Sequence, residues 1–274
     1  MDHSGSSATS KLIVTQVKRV LEEGCIATLA TLVEGTANVG AKLLVEQSGE
    51  TTGSLGADDL DKLVAGYAST FLESREEAKT FSVSEFAPNA QGLGDIRVLL
   101  ERIQPEPRLV ICGAGHVGAS LAKLAGFVGW ETTLIDDRSD FVTRERFPDP
   151  RIELVAAVNW STAVREAIGN GRGVSVAIVT RGHNEDEECL RAVITTNPDY
   201  IGLIGSKRRT NIVLARLREA GTAENQLSRI RAPVGLDIAA VTPEEVALSI
   251  LAEIIAERRG GKGGSLSAWR RTEG

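Results

Sequence analysis

Three cysteines in 274 residues, Cys25, Cys112 and Cys189, are too few and too scattered for a disulfide framework, and they form no Cys-x-x-Cys pair. Aromatic residues make up only 4% of the chain, which argues against a base-stacking surface for single-stranded nucleic acid. No apolar run approaches the ~18 residues of a helical membrane span. Nor is there an excess of positive charge. The net charge of −6 and isoelectric point near 5.3 exclude a general affinity for nucleic acid or an anionic membrane. The opening "MDHSGSSATSK" lacks the basic segment and apolar core of a secretory signal, so a cytoplasmic protein is expected.

What remains is a globular composition, 42% apolar and 25% charged, in a chain long enough for two domains. Two prolines in "QPEPRL" mark a seam at 104–109. Before it, "KLIVTQVKRVLEEG" reads as a helix with Leu12, Ile13, Val17, Val20 and Leu21 on one stripe. A strand "CIATLATLVE", a hairpin at Ser48-Gly49, a helix over about Asp58–Glu73 and the strands "KTFSVSEF" and "IRVLLERI" follow. These predict a small α/β domain with a mixed sheet over 11–104, behind a polar, disordered lead-in at 1–10.

After the seam, the apolar runs "RLVICG", "ETTLID", "RIELVAA", "VSVAIVT" and "YIGLIG" alternate, for the most part, with helical stretches. That alternation predicts an α/β, Rossmann-like, doubly wound parallel sheet over 108–258. A last helix starts at "VTPEEVALSILAEIIAERR", where Thr242, Pro243 and Glu245 fit a capping box with proline at the first helical position. The glycine-rich stretch 259–274 is expected to be a flexible tail.

Between "RLVIC" and the next apolar helix lies "GAGHVG", a GxGxxG turn at Gly113, Gly115 and Gly118 with His116 and Val117 inside it. In a dinucleotide-binding crossover the first glycine permits a tight turn. The second lets the backbone approach a pyrophosphate, and the third lets helix and strand pack closely. The helix N-terminus behind the turn offers free N–H groups to a phosphate. Asp136 stands 18 residues past Gly118, at the end of the second strand and next to Asp137 and Arg138, where an acid holds a ribose hydroxyl. His116 reads equally as a helix-start residue or as a phosphate or substrate contact.

Two later strand ends should face the same crevice, because ligands of such sheets bind beyond the carboxyl ends of the strands. "TRGHNEDEE" places Arg181 and His183 there, while Glu185, Asp186 and Glu187 suit the positive first turn of a helix. "GSKRRT" places Ser206 and Lys207 there and puts three cations against a helix dipole, an arrangement that something anionic would offset. Arg208 and Arg209 read equally well as a solvated face. No histidine or carboxylate spacing demands a metal, and none is expected.

In this order, "GAGHVG", "IDDR…RFP", "TRGHNED", "YIGLIGSKRR" and "APVGLDI…TPEEVALSILAEIIA" resemble the XdhC/CoxI family, the accessory factors that mature molybdenum hydroxylases. The first domain resembles that family more loosely, through "ATLATLVEGT", "GAKLLV" and "GSLG". The resemblance implies a protein without turnover of its own. It would bind molybdenum cofactor (molybdopterin), assist its sulfuration with a cysteine desulfurase and hand it to an apo molybdenum hydroxylase, as a homodimer.

Two departures bear on that role. The family carries cysteines where this chain has Asp59, after "GSLG", and Gly92, before the "LLE" strand. A carboxylate does not replace a soft thiolate in sulfur or molybdenum handling. Two other readings use the same crevice. One is an NAD(P)-dependent oxidoreductase, for which no tyrosine–lysine pair or other catalytic dyad is present. The other is a nucleotide-binding regulatory or partner-binding module that has lost the cofactor chemistry.

Overall fold

The computed structural model describes residues 3–267 apart from 36, 75 and 91. The chain forms two compact units, Met1–Pro105 and Glu106–Gly274.

In the first unit, α1 (His3–Glu22) leads into β1 (Ala27–Glu34), β2 (Lys42–Glu46) and β3 (Thr51–Ser54). Then come α2 (Asp58–Glu73), β4 (Ala78–Ser82), a helical turn α3 (Val83–Phe86) and β5 (Arg97–Ile103). The helix thus begins at His3, inside the stretch 1–10 expected to be a disordered lead-in. Nothing from Ser4 to Ser10 is a proline, so the periodic helix that follows can extend backwards.

The sheet runs β3-β2-β1-β5-β4. Its described pairings are all antiparallel, which corrects the mixed sheet expected from the strand pattern. Short connections link β1 to β2 and β2 to β3, and a parallel neighbour would need a crossover of a dozen or more residues. The run "KTFSVSEF", read as one strand, turns helical after Ser82 because the Glu85 carboxylate accepts the Ser82 N–H at 2.7 Å. Leu43, Val64, Phe71, Val98 and Leu100 are fully buried in the core between the sheet and α2. Each such side chain contributes roughly 1.5–3 kcal/mol on leaving water.

The second unit begins with β6 (Arg108–Cys112), α4 (His116–Phe127), β7 (Glu131–Asp136), a 3₁₀ turn at Ser139–Phe141 and β8 (Ile152–Ala156). It continues through α5 (Trp160–Ile168), β9 (Val174–Ile178), α6 (His183–Thr196), β10 (Tyr200–Leu203) and α7 (Lys207–Glu219). The last elements are α8 (Glu224–Leu227), β11 (Ile230–Arg231) and α9 (Pro243–Arg258). The six strands are parallel in the order β11-β10-β9-β6-β7-β8. The chain therefore winds outward from β6 through β7 to β8, returns beside β6 as β9, and winds outward the other way. That reversal between β6 and β9 is the switch point of a Rossmann fold.

Alternation along β6 explains the layering. Leu109 and Ile111 belong to a core with Leu121, Ala122, Ile250 and Ile254 of α4 and α9. Val110 and Cys112 belong to the opposite core, with residues of α5, α6 and α7. Both faces are dry, as a parallel sheet requires. The Thr242 hydroxyl accepts the Glu245 N–H at 3.2 Å and Glu245 accepts the Thr242 N–H at 3.0 Å, so these residues are a helix cap. Of the expected tail 259–274, residues 268–274 lie outside the described residues. Among the described residues, no helix is long and apolar enough to cross a membrane.

Candidate functional site at the switch point

The three glycines of the turn after β6 differ in what holds them. Gly113 adopts φ +115°, and a Cβ there would stand 2.6 Å from the Val179 carbonyl oxygen. At Gly118 a Cβ would meet the Gly113 carbonyl oxygen at 1.8 Å. Both positions are fixed by the fold itself. Gly115 is different: its φ is −67°, ordinary for any residue, and a Cβ there would find nothing within 4 Å. The backbone at Gly115, which caps α4, opens onto free space at a helix N-terminus. That is the geometry of a phosphate cradle.

His116 is the first residue of α4 and is exposed, while Val117 is half-buried against the core. His183 occupies the equivalent place on the other side of the switch point, as the exposed first residue of α6 behind the cap Gly182.

Asp136 does not present a free carboxylate. It is buried, accepts the Ala114 N–H at 2.7 Å and pairs bidentately with Arg138, at 2.8 Å from Nε and 3.0 Å from Nη2. Burial by itself would raise its pKa. The Arg138 hydrogen bonds and the Ala114 and Arg138 N–H groups outweigh that and hold it below the ordinary carboxylate range. The Arg138 guanidinium in turn lies 3.5 Å from the centre of the Phe141 ring. Asp136 thus braces the glycine turn against the end of β7.

Asp137 remains exposed and pairs at 2.7 Å with Arg181, which also reaches Glu185 at 3.4 Å. Sequence reasoning did not assign Arg146 a part. It donates to the Phe141 carbonyl at 2.6 Å and to the Ala114 carbonyl at 3.4 Å, tying the turn to the segment behind β7. The "RFP" of the resemblance was its only trace in the sequence.

Beyond β9 and β10 the decisive pair is Asp186 with Arg209. Asp186 is fully buried, accepts from the Thr180 hydroxyl at 2.6 Å and pairs with Arg209 at 2.5 Å. Burial pushes its pKa up, and the Thr180 and Arg209 hydrogen bonds pull against that. Arg209 also donates to the Thr180 carbonyl at 3.3 Å. One of the two arginines read as a solvated face is therefore an internal brace between α6 and α7. Ser206 caps α7 and Lys207 is its exposed first residue. His183, Ser206, Arg208, Arg209, Ile212 and Arg216 line a cavity of about 360 Å³.

Neither cysteine of this unit reaches the surface. Burial first, then the neighbouring Cys112 thiol, pushes the Cys189 thiol well above its ordinary range. Among the described residues no group of three histidine, cysteine or acidic side chains is placed to hold a metal. In the first unit, Asp59, Lys62, Leu63, Phe86 and Leu93 help to line a separate cavity of about 690 Å³. Asp59, at one of the two positions where the resemblance places cysteines, borders this space, and so does Leu93, the residue after the other position, Gly92.

The model of the XdhC Rossmann domain matches residues 109–254, and that of the XdhC and CoxI family matches residues 20–83. The chain belongs to the XdhC/CoxI family. Among curated proteins, YqeB of Escherichia coli (strain K12), described as uncharacterized, is 31% identical over 260 residues, 92% of this chain and 47% of YqeB. A probable xanthine dehydrogenase subunit from Bacillus subtilis (strain 168) is 31% identical over 59% of this chain and 46% of that protein. The molybdenum cofactor insertion chaperone PaoD of E. coli (strain K12) is 28% identical over 57% of this chain and 41% of its own. The chain thus spans less than half the length of these relatives. A crystal structure described as a xanthine dehydrogenase from Bacillus halodurans shares the fold, with a TM-score of 0.63 and 23% identity, covering 91% of this chain and 67% of that one.

Proposed function

We propose that this XdhC/CoxI chain is a cytoplasmic accessory factor for a molybdenum hydroxylase, holding molybdenum cofactor or a nucleotide by a phosphate at Gly113–Gly118. The observation that carries the reading is the open backbone of Gly115 at the start of α4, where neither conformation nor packing requires glycine. The name of PaoD as a cofactor insertion chaperone supports the direction of the assignment. Once handed on, the cofactor would supply its molybdenum chemistry to the apo-hydroxylase.

This chain's own work is binding and presentation. The first-turn N–H groups of α4 meet the phosphate, and Arg146 and the Asp136–Arg138 pair keep the turn rigid. His116, Arg181 and His183 stand at the exposed rim, where they can meet the rest of the ligand.

The residues fit a phosphate better than they fit sulfur transfer. With Cys112 and Cys189 buried, this unit offers no accessible thiolate. Sulfuration would then rest on a separate cysteine desulfurase, with this chain as the holder. Pairing of two copies would follow the common pattern of soluble oligomers. The engagement of Asp136 by Arg138 weighs against an NAD(P)-dependent oxidoreductase, because the acid that would grip a ribose already has its partners.

The test is ligand analysis of the purified chain. It is denatured, and the supernatant is assayed in parallel for pterin fluorescence and for released nucleotide. Pterin without nicotinamide is the expected result. A stoichiometric nicotinamide cofactor that turns over would overturn the assignment.

A further inference from the structure

We propose that the cavity between α6 and α7 is a second, independent anion site, built for the phosphate group of a small phosphate monoester. The first three residues of α7 are Lys207, Arg208 and Arg209, with no acidic residue in that turn. Cations there oppose the helix dipole, so an ordinary helix start would avoid them. The pair with Asp186 accounts for Arg209. Among the described residues no carboxylate lies within ion-pair distance of Arg208 or Lys207.

Arg208 instead lines the 360 Å³ cavity, together with Arg209, Arg216, His183 and Ser206. Arg216 is held only loosely, at 3.4 Å from both Glu187 and Asn184, and Glu187 is more closely engaged by Arg191 at 2.8 Å. The lining holds three guanidinium groups and no carboxylate; Asp186 and Glu187, which pair with Arg209 and Arg216 from outside it, leave Arg208 uncompensated, so the cavity carries net positive charge.

Its donors suit a tetrahedral oxyanion. Guanidinium groups bind phosphate in a fork geometry that a carboxylate-free pocket leaves available. The Ser206 hydroxyl accepts the Arg209 N–H at 3.3 Å, which leaves its own proton free to donate. The backbone N–H groups of the first α7 turn lack helical acceptors. Ile212 supplies one apolar wall, and the volume exceeds what a bare phosphate fills, which is why an ester is favoured. Apart from His183, which also stands at the rim of the glycine turn, the lining residues belong to α7 and its cap, so the site does not depend on the reading of Gly113–Gly118.

Isothermal titration of the full chain with inorganic phosphate and, separately, with AMP tests the proposal. The wild type is expected to bind both. In the Gly115→Asp background, where the glycine turn no longer takes a phosphate, Arg208→Gln with Arg216→Gln should weaken each by at least tenfold at unchanged melting temperature, since both side chains are exposed. Gly115→Asp alone should remove only what the glycine turn binds and keep the component that Arg208 and Arg216 control, while Arg172→Gln, a remote exposed control, should bind as wild type does. The proposal is overturned if the two arginine changes have no effect in the Gly115→Asp background, if Arg172→Gln loses as much, or if AMP is excluded while phosphate binds. Loss of all phosphate binding in Gly115→Asp would also overturn it, by assigning the anion to the glycine turn alone.

Discussion

Arg181 donates to the Asp137 carboxylate at 2.7 Å, joining the segments that follow β9 and β7. Since β6 lies between those two strands, the pair links the loops on either side of the glycine turn. Both side chains are partly exposed, so the pair contributes ~1 kcal/mol or less to stability. Its larger effect is on the ligand, because a guanidinium held by a carboxylate is less available to a phosphate. Asp137→Asn is expected to tighten binding of a phosphorylated ligand a few-fold, and Arg181→Ala to weaken it, with melting temperatures nearly unchanged. Fluorescence titration of both variants checks this; equal affinities would remove the pair from the binding site.

The glycines of the turn should separate function from folding. Gly115→Ala has space and an ordinary backbone, so its stability cost should stay within about 1 kcal/mol. Gly115→Asp should fold as well and lose binding at the turn. Gly118→Ala, by contrast, drives a methyl into the Gly113 carbonyl and should cost about 3 kcal/mol or more. Urea denaturation beside ligand titration reads both effects. A stable Gly118→Ala variant would contradict the packing described for the turn.

Removing one partner of the buried Asp186–Arg209 pair leaves a charge inside without compensation. Asp186→Ala is therefore expected to destabilise by about 3–5 kcal/mol. Replacing both, as Asp186→Leu with Arg209→Met, should cost clearly less than the single change. Should the double variant lose as much as the two single changes summed, the pair is not coupled in the way its geometry indicates.

Asp136 makes stability depend on acid. Its folded-state pKa lies below the unfolded value, so its contribution is complete above about pH 4 and is lost as pH falls through the folded-state pKa. Arg138→Gln removes the chief stabiliser of the carboxylate and should make the protein less stable at neutral pH, with a shallower loss on acidification. Unfolding free energies measured by urea between pH 7 and pH 3 test the sign. Identical slopes for wild type and variant would exclude the linkage.

Periodicity and turn chemistry alone determined the parallel domain, because the strands from β6 to β10 are short, largely apolar runs and all of them but β7 lead into a helix. The capping box of α9 and the spacing of Gly113, Gly115 and Gly118 were equally legible, since these depend on residues within one turn of each other. Pairing across the first sheet was not, because which strands become neighbours depends on contacts remote in sequence. Only the tertiary structure decided what the charges do. Asp136 stands where a ribose-binding acid would, yet its bidentate partner Arg138 takes up the carboxylate. Asp186 and Arg209, 23 residues apart, read as a helix-start acid and a surface cation until β9 and β10 bring α6 and α7 side by side. An ion pair is a relation between separate stretches of chain, and no local pattern records which partner the fold will supply.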